Sequence, residues 1–353
     1  MADYTTIDNP ELYFRSKLWT GDGTDDRAIT FDESDNMQPD WIWYKGRNHA
    51  YNHGLFDSVR GVDKFISSNS NNAESTISGI ASFDSNGFTV GNDAGSNGSS
   101  KTFVSWNWAA GGSTSSNSDG SVTTTVSVNT TAGFSICKFT YPGSGNFTFG
   151  HGLGVAPTFF ILKGFSNSSA LANWQVYVGA LGNTKNTQLN STAASNSAAN
   201  WWNSTSPTST VCTVGSDLVE ISQDGIAYVF AEKQGYSKFG TYTGNGNADG
   251  SFIYTGFKPA WVMIKNTAAS EHWRIYDNKR DTFNHMYHVL FPNQNSAEST
   301  VDNASEEIDF LSNGVKIRSS AQQLNGSGQK LIYMAFAENP FVTAGTKAAG
   351  TAR

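Results

Sequence analysis

The side chains of this 353-residue sequence best suited to chemistry are six histidines, two cysteines and a few carboxylates whose neighbours recur. The histidines are His49, His53, His151, His272, His285 and His288, and none forms an HExxH pattern or pairs with a cysteine at metal-ligand spacing. His285 and His288 stand three apart, a ligand spacing on a helix, but Phe283-Asn284-His285-Met286-Tyr287-His288 carries no helical signal, so no metal is expected there. Cys137 and Cys212 fall in strand-like runs and read as two buried reduced thiols rather than a disulfide.

Two ionic pairs recur at one position: Asp57 with Arg60, and Asp277 with Arg280. They read either as carboxylates that bind or cleave carbohydrate or as structural ion pairs that pin a loop against the fold, and the second reading is preferred. Glu74 and Glu298 follow the same logic, because two carboxylates serve glycoside hydrolysis only at a defined separation, which spacing along the chain does not set. The turns Gly21 to Asp26 and Asn245 to Gly250 gather oxygen atoms suited to Ca²⁺ but lack the twelve-residue loop with its terminal glutamate, so they read as plain turns. Of the ten tryptophans, Trp41, Trp43, Trp106 and Trp108 sit in apolar runs and are expected in the core. Trp201 and Trp202 lie in a polar loop, 183–207, and are the candidate ligand-binding residues, placed either in an interface or against a glycan. Without an acid, base or metal constellation the chain reads as non-enzymatic, with no cofactor and no metal.

What positions these groups is a repeat. Pro39-Asp40-Trp41-Ile42-Trp43-Tyr44-Lys45 returns as Pro157 to Lys163 and as Pro259 to Lys265: a proline, a variable residue, four apolar residues and a lysine. Proline suits the first residue of a strand, and four filled apolar positions predict a strand covered on both faces. An aromatic residue and a Gly-x-Gly turn precede each copy, at Trp19 to Gly23, Tyr141 to Gly145 and Tyr242 to Gly246, and an apolar run closes each, at Phe103 to Trp108, Ala227 to Glu232 and Tyr333 to Glu338. Short strands between Gly, Asn, Asp and Ser turns predict an all-β chain of three tandem antiparallel β-sandwich repeats of jelly-roll or lectin-like type. The expected divisions are an arm 1–11, repeats at 12–108, 133–235 and 236–341, a linker 109–132 with one extra strand, and a tail 342–353. The hairpin Asp84-Ser85-Asn86-Gly87 is expected to place positive φ at Asn86 and Gly87. The short junction at Tyr236 predicts a tighter joint between copies two and three than between one and two.

The formal charge of −7 and the absence of Lys or Arg runs argue against a nucleic-acid partner. No stretch of 18 apolar residues occurs, so membrane insertion is not expected, and Met1 to Thr5 lacks the pattern of a secretory signal.

Several runs carry a resemblance: Tyr4 to Asp8, Leu18 to Gly23, Pro39 to Lys45, Phe56 to Gly61, His151 to Pro157, Gly235 to Gly246 and Ala335 to Phe341. Across nearly the whole chain these are similar to a family of marine bacteriophage virion proteins, of the cyanophage and pelagiphage type, described as structural or tail-fibre-like. The resemblance implies a place in the virion, on the tail or capsid surface, with other virion proteins and a host-surface glycan as partners, and it transfers no catalytic residue. Fibre proteins of this kind imply a homo-oligomer, with a trimer among its forms, although no heptad repeat specifies one.

Overall fold

The computed structural model describes residues 4–166, 173–218, 222–300 and 304–343. The protein is all-β, built from antiparallel sheets with only short helical turns between them. In copy one a four-stranded sheet runs in the order Phe14–Thr20 (opening strand), Thr102–Trp108 (closing strand), Trp41–Gly46 (proline strand) and Gly54–Asp57 (fourth strand). Copy three repeats that order with Ser237–Thr243, Lys330–Pro340, Phe257–Asn266 and Arg274–Asp277. Copy two repeats it with Phe134–Thr140, Asp224–Phe230, Phe159–Gly164 and Gln175–Val178, inside an eight-stranded sheet.

A smaller sheet faces each of these: Arg27–Thr30, Gly87–Val90 and Ile80–Asp84 in copy one, and Phe252–Tyr254, Gly314–Ile317 and Ile308–Leu311 in copy three. Among the described residues copy two keeps the pair Phe147–Gly150 and Val211–Val214. The Gly-x-Gly turn needs its first glycine because the main chain passes too close for a side chain. A Cβ on Gly21 would lie 2.3 Å from the Gly98 oxygen, and one on Gly244 would lie 2.3 Å from the Gly326 oxygen.

Strand alternation explains why the repeated motif is apolar at all four positions. Along each proline strand Ile42 and Tyr44, Phe160 and Leu162, and Val262 and Ile264 point into a core between the two sheets of their own copy. The intervening Trp41 and Trp43, Phe159 and Ile161, and Trp261 and Met263 point the other way, into one further core that all three copies share. There Trp41 stacks on Tyr228 of copy two at 4.2 Å between ring centroids, Phe14 stacks on Phe336 of copy three at 5.2 Å, and Phe159 of copy two stacks on Phe239 of copy three at 5.5 Å. Trp41, Trp43, Trp106 and Trp108 are therefore core residues of the joint between copies. Burial of several such rings at roughly 25 cal/mol per Å² is a larger stabilising term than any single polar contact in the joint.

Some local expectations change. Residues 109–132, read as a linker with one extra strand, hold two: Ser115–Asn117 and Thr124–Asn129 pair with each other, and the second pairs with Phe134–Thr140. Alternating Val126, which enters the copy-two core, makes this stretch sheet despite its polar composition. In the hairpin at Asp84 the two central residues are Ser85 and Asn86, and Gly87, at φ 127°, begins the return strand. A Cβ there would lie 2.2 Å from the Ile29 oxygen. The N-terminal arm packs down, with Thr5 Oγ1 donating to the Gln234 main-chain oxygen at 2.7 Å and Tyr4 Oη to that of Gly256 at 2.6 Å. From residue 344 onward the expected tail lies outside the described residues.

Candidate functional site

The recurring Asp, Arg and Glu residues meet as two equivalent units, at joints between copies. Asp57 and Asp277 end their fourth strands, and the turn that follows bends back so that each Oδ1 accepts the main-chain N–H groups two and three residues on. That turn brings Arg60 Nε to 2.6 Å from Asp57 Oδ2 and Arg280 Nε to 2.5 Å from Asp277 Oδ2. The other side of each guanidinium reaches a glutamate, Arg60 to Glu74 at 3.0 Å and Arg280 to Glu298 at 2.7 Å. Each arginine also donates to a main-chain oxygen of its own copy, of Leu55 or of Ile275. Every member of these units except Glu74 is almost fully buried.

A neighbouring copy completes each unit. Tyr228 of copy two donates its hydroxyl to Asp57 Oδ2 at 2.8 Å, and Trp106 of copy one donates its indole N–H to Asp277 Oδ2 at 2.9 Å. Burial pushes the Asp277 carboxyl upward, but Arg280 and the Trp106 hydrogen bond outweigh it and hold the group below the ordinary carboxylate range. Glu298 is likewise held low, with Arg280 and Arg47 outweighing the effect of burial. In copy two the register places Val178, Leu181 and Ser195 where the other copies have Asp, Arg and Glu. The donor has gone with the acceptor, since Met334 stands in copy three where Trp106 and Tyr228 stand in their closing strands.

A second set of bonds runs in the same sense at all three joints. One residue before each fourth strand a ring nitrogen bonds a main-chain oxygen of a neighbouring copy. Trp174 Nε1 donates to Ser67 at 2.7 Å, Trp273 Nε1 donates to Gln188 at 2.9 Å, and His53 Nε2 contacts Phe291 at 3.0 Å. Burial drives His53 well below its ordinary value, so the ring is neutral, with Nδ1 accepting from Trp43 and Nε2 donating to Phe291. Main-chain bonds repeat the pattern in reverse roles: Glu74 N to Phe165 O at 2.7 Å, Ser195 N to Thr267 O at 2.9 Å and Glu298 N to Arg47 O at 2.7 Å. Copy two is thus joined to one, one to three, and three to two, a closed ring. The lengths of the connecting segments suggested unequal joints, whereas the same bonds recur in each.

The motif lysines, Lys45, Lys163 and Lys265, are fully buried beside these joints, with Nζ turned to main-chain oxygens such as Gly46 at 2.7 Å and Asn266 at 2.5 Å. Burial lowers Lys45 and Lys265 to about 8 and Lys163 to about 7.

Trp202 is not a surface residue. It is fully buried in the copy-two core, edge-on to Phe160 and Tyr177, and its indole N–H donates to the Lys185 main-chain oxygen at 3.0 Å. Trp201 is half-buried and packs on the same core. Polar spacing hid this because the loop folds over copy two's reduced second sheet and supplies the cover that the missing strand would give. Cys137 and Cys212 are both free and buried, and burial pushes the Cys137 thiol up to about 12, which makes it a poor nucleophile. The Asp22 and Asp249 carboxylates are taken by Thr24 and Arg27, and by Lys316. Among the described residues no three His, Cys, Asp or Glu side chains gather to hold a metal, and no helix is long and apolar enough to cross a membrane.

A cleft of about 440 Å³ lies elsewhere, along residues 280–288 of copy three. His285 and His288 line it, each with Nδ1 against a carboxylate, of Asp309 at 2.6 Å and of Asp281 respectively. Reading by spacing treated these histidines only as a metal pair; the available signal was the greater length of this segment in copy three than in copy one.

No curated protein matches the chain. Residues 9–340 match the family described as "Domain of unknown function (DUF7483)", which spans all three copies, and the chain belongs to that family.

Proposed function

We propose that the chain is a non-enzymatic structural protein of a bacteriophage virion, part of a tail fibre or other appendage acting in host attachment. The observation that carries this reading is where the charge chemistry is placed. The recurrent Asp, Arg and Glu side chains are consumed in joints between copies: Arg280 and Glu298 border clefts, but their charges are spent on buried ion pairs and not offered to a substrate. A closed ring with four buried cores makes a stiff body that displays its loops outward, which suits a particle component. The motifs that resemble marine phage virion proteins give the particle its identity. Other virion proteins, and further copies of this chain, are the expected partners.

Immunogold labelling of intact phage particles that encode this chain tests the reading. Gold on the tail or fibres is the expected result, and gold on the head would recast the protein as capsid decoration. Absence from particles by labelling and by blot would overturn the proposal. A second reading, a lectin-like glycan-binding module, is favoured by exposed aromatic side chains, Tyr51 in copy one and the more exposed Phe252, Tyr254 and Phe283 in copy three.

A further inference from the structure

We infer that the cleft formed by residues 280–288 of copy three is a binding site for a neutral saccharide, a step that deepens the glycan-binding reading and rests on it. The first ground is a comparison within the chain. From the joint arginine to the residue that bridges back to the fourth strand, copy one uses residues 61–65 and copy three uses residues 281–289, four residues longer. In copy two the matching stretch is 182–186, as short as in copy one. Closing the joint does not require the longer segment, since Asp57 with Arg60 closes without it.

The second ground is how the added residues are held. Asn284 pairs with the main chain of Phe310 in both directions, at 3.0 and 2.9 Å, so its side chain acts as a short piece of strand. Asp281 Oδ2 accepts the main-chain N–H groups of Tyr287 and His288, each at 2.9 Å. Between these clamps Phe283 is 77% exposed, the most exposed large hydrophobic side chain among those described. A loop fixed at both sides that holds an aromatic ring in water has already met the ordering cost that binding would impose.

The third ground is the chemistry of the lining. Carboxylates at Nδ1 of His285 and His288 orient both rings and leave Nε2 as the atom presented to the cleft. Thr282 and Tyr287 add hydroxyl-bearing side chains to the same wall. An apolar ring face beside planar and hydroxyl hydrogen-bonding groups matches a sugar, whose C–H face stacks on an aromatic ring while its hydroxyls bond at the rim. Asp281 and Asp309 lie beneath the rings, and the nearby arginines, Arg318 on Asp309 and Arg280 between Asp277 and Glu298, are spent on ion pairs, so among the described residues the cleft offers no free guanidinium to an acidic sugar or a phosphate.

The test is titration of the full chain with chitotetraose, cellotetraose, maltotetraose and mannotetraose, followed by saturation-transfer NMR, for wild type, Phe283→Ala, His288→Gln and the double variant Phe252→Ala/Tyr254→Ala. The expected result is binding of at least one tetrasaccharide, weakened about tenfold or more by Phe283→Ala, weakened by His288→Gln, and unchanged in the double variant. Phe283 is so exposed that its removal leaves the fold intact, which circular dichroism checks. Binding lost in the double variant and kept in Phe283→Ala would overturn this site while leaving the lectin reading standing. Binding of none of the four would overturn the proposal, and the particle role would still be decided separately by gold labelling.

Discussion

Copies one and three close their joints with a buried arginine between two carboxylates, whereas copy two closes the equivalent joint with Val178 and Leu181. The two solutions occupy the same place in the ring, so the ion pair is not needed for the geometry. What distinguishes them is the consequence of partial loss. A buried ion pair replaced whole by apolar groups is often neutral, while removal of one partner leaves a charge stranded. Copy two shows the whole replacement, since acceptor, guanidinium and cross-copy donor are all absent together.

The largest expected effect therefore comes from breaking one unit halfway. Arg280→Met strands Asp277, leaves Glu298 with Arg47 alone, and should cost about 3–5 kcal/mol in urea denaturation. A cost below about 1 kcal/mol would mean that those carboxylates are hydrated or protonated at no penalty. Val178→Asp should destabilise for the mirrored reason, by placing a carboxylate where copy two has no arginine and copy three has Met334.

Next in size are the ring donors that recur at every joint. Trp273→Phe and Trp174→Phe each remove one N–H donor to a main-chain oxygen across a joint, with an expected loss of about 1–2 kcal/mol at each site. A much smaller loss for Trp174→Phe would show the apolar joint to be compensated elsewhere.

The lysines give a pH test of the shared environment. Lys163 is lowered to about 7 against an ordinary 10.5, so between these values the unfolded chain holds a proton that the folded chain has released. Stability should then rise with pH from about 7 toward 10.5, and Lys163→Met should reduce that rise, leaving the part due to Lys45 and Lys265. An unchanged slope in the variant would place the lysine in water.

The smallest effect is the sharpest comparison. Converting the copy-three joint to the copy-two solution, with Asp277→Val, Arg280→Leu, Glu298→Ser and Trp106→Met together, should change stability by less than about 2 kcal/mol. A loss as large as that of Arg280→Met alone would refute the equivalence of the two joints.

Much of this was legible from residue order. The proline motif marked the central strands, and its four apolar positions marked strands covered on both faces. The recurrence of Asp57 and Arg60 at Asp277 and Arg280 marked a structural device. What covers the second face was not legible, because a strand with two apolar faces looks the same whether its cover is a sheet of its own copy or another copy. Tyr228 and Trp106 could not be matched to Asp57 and Asp277, since these contacts join residues 171 apart in sequence. Trp202 was misplaced because polar loop composition says where water reaches most of a segment and nothing about the one residue turned inward.

The central claim is that three copies form one closed, cooperative body. Differential scanning calorimetry of the full chain tests it most directly. The account predicts a single transition whose calorimetric and van't Hoff enthalpies agree, because opening any joint exposes the aromatic core that all three copies share. Three separable transitions, each with about a third of the total enthalpy, would contradict it and return the copies to independent beads on a chain.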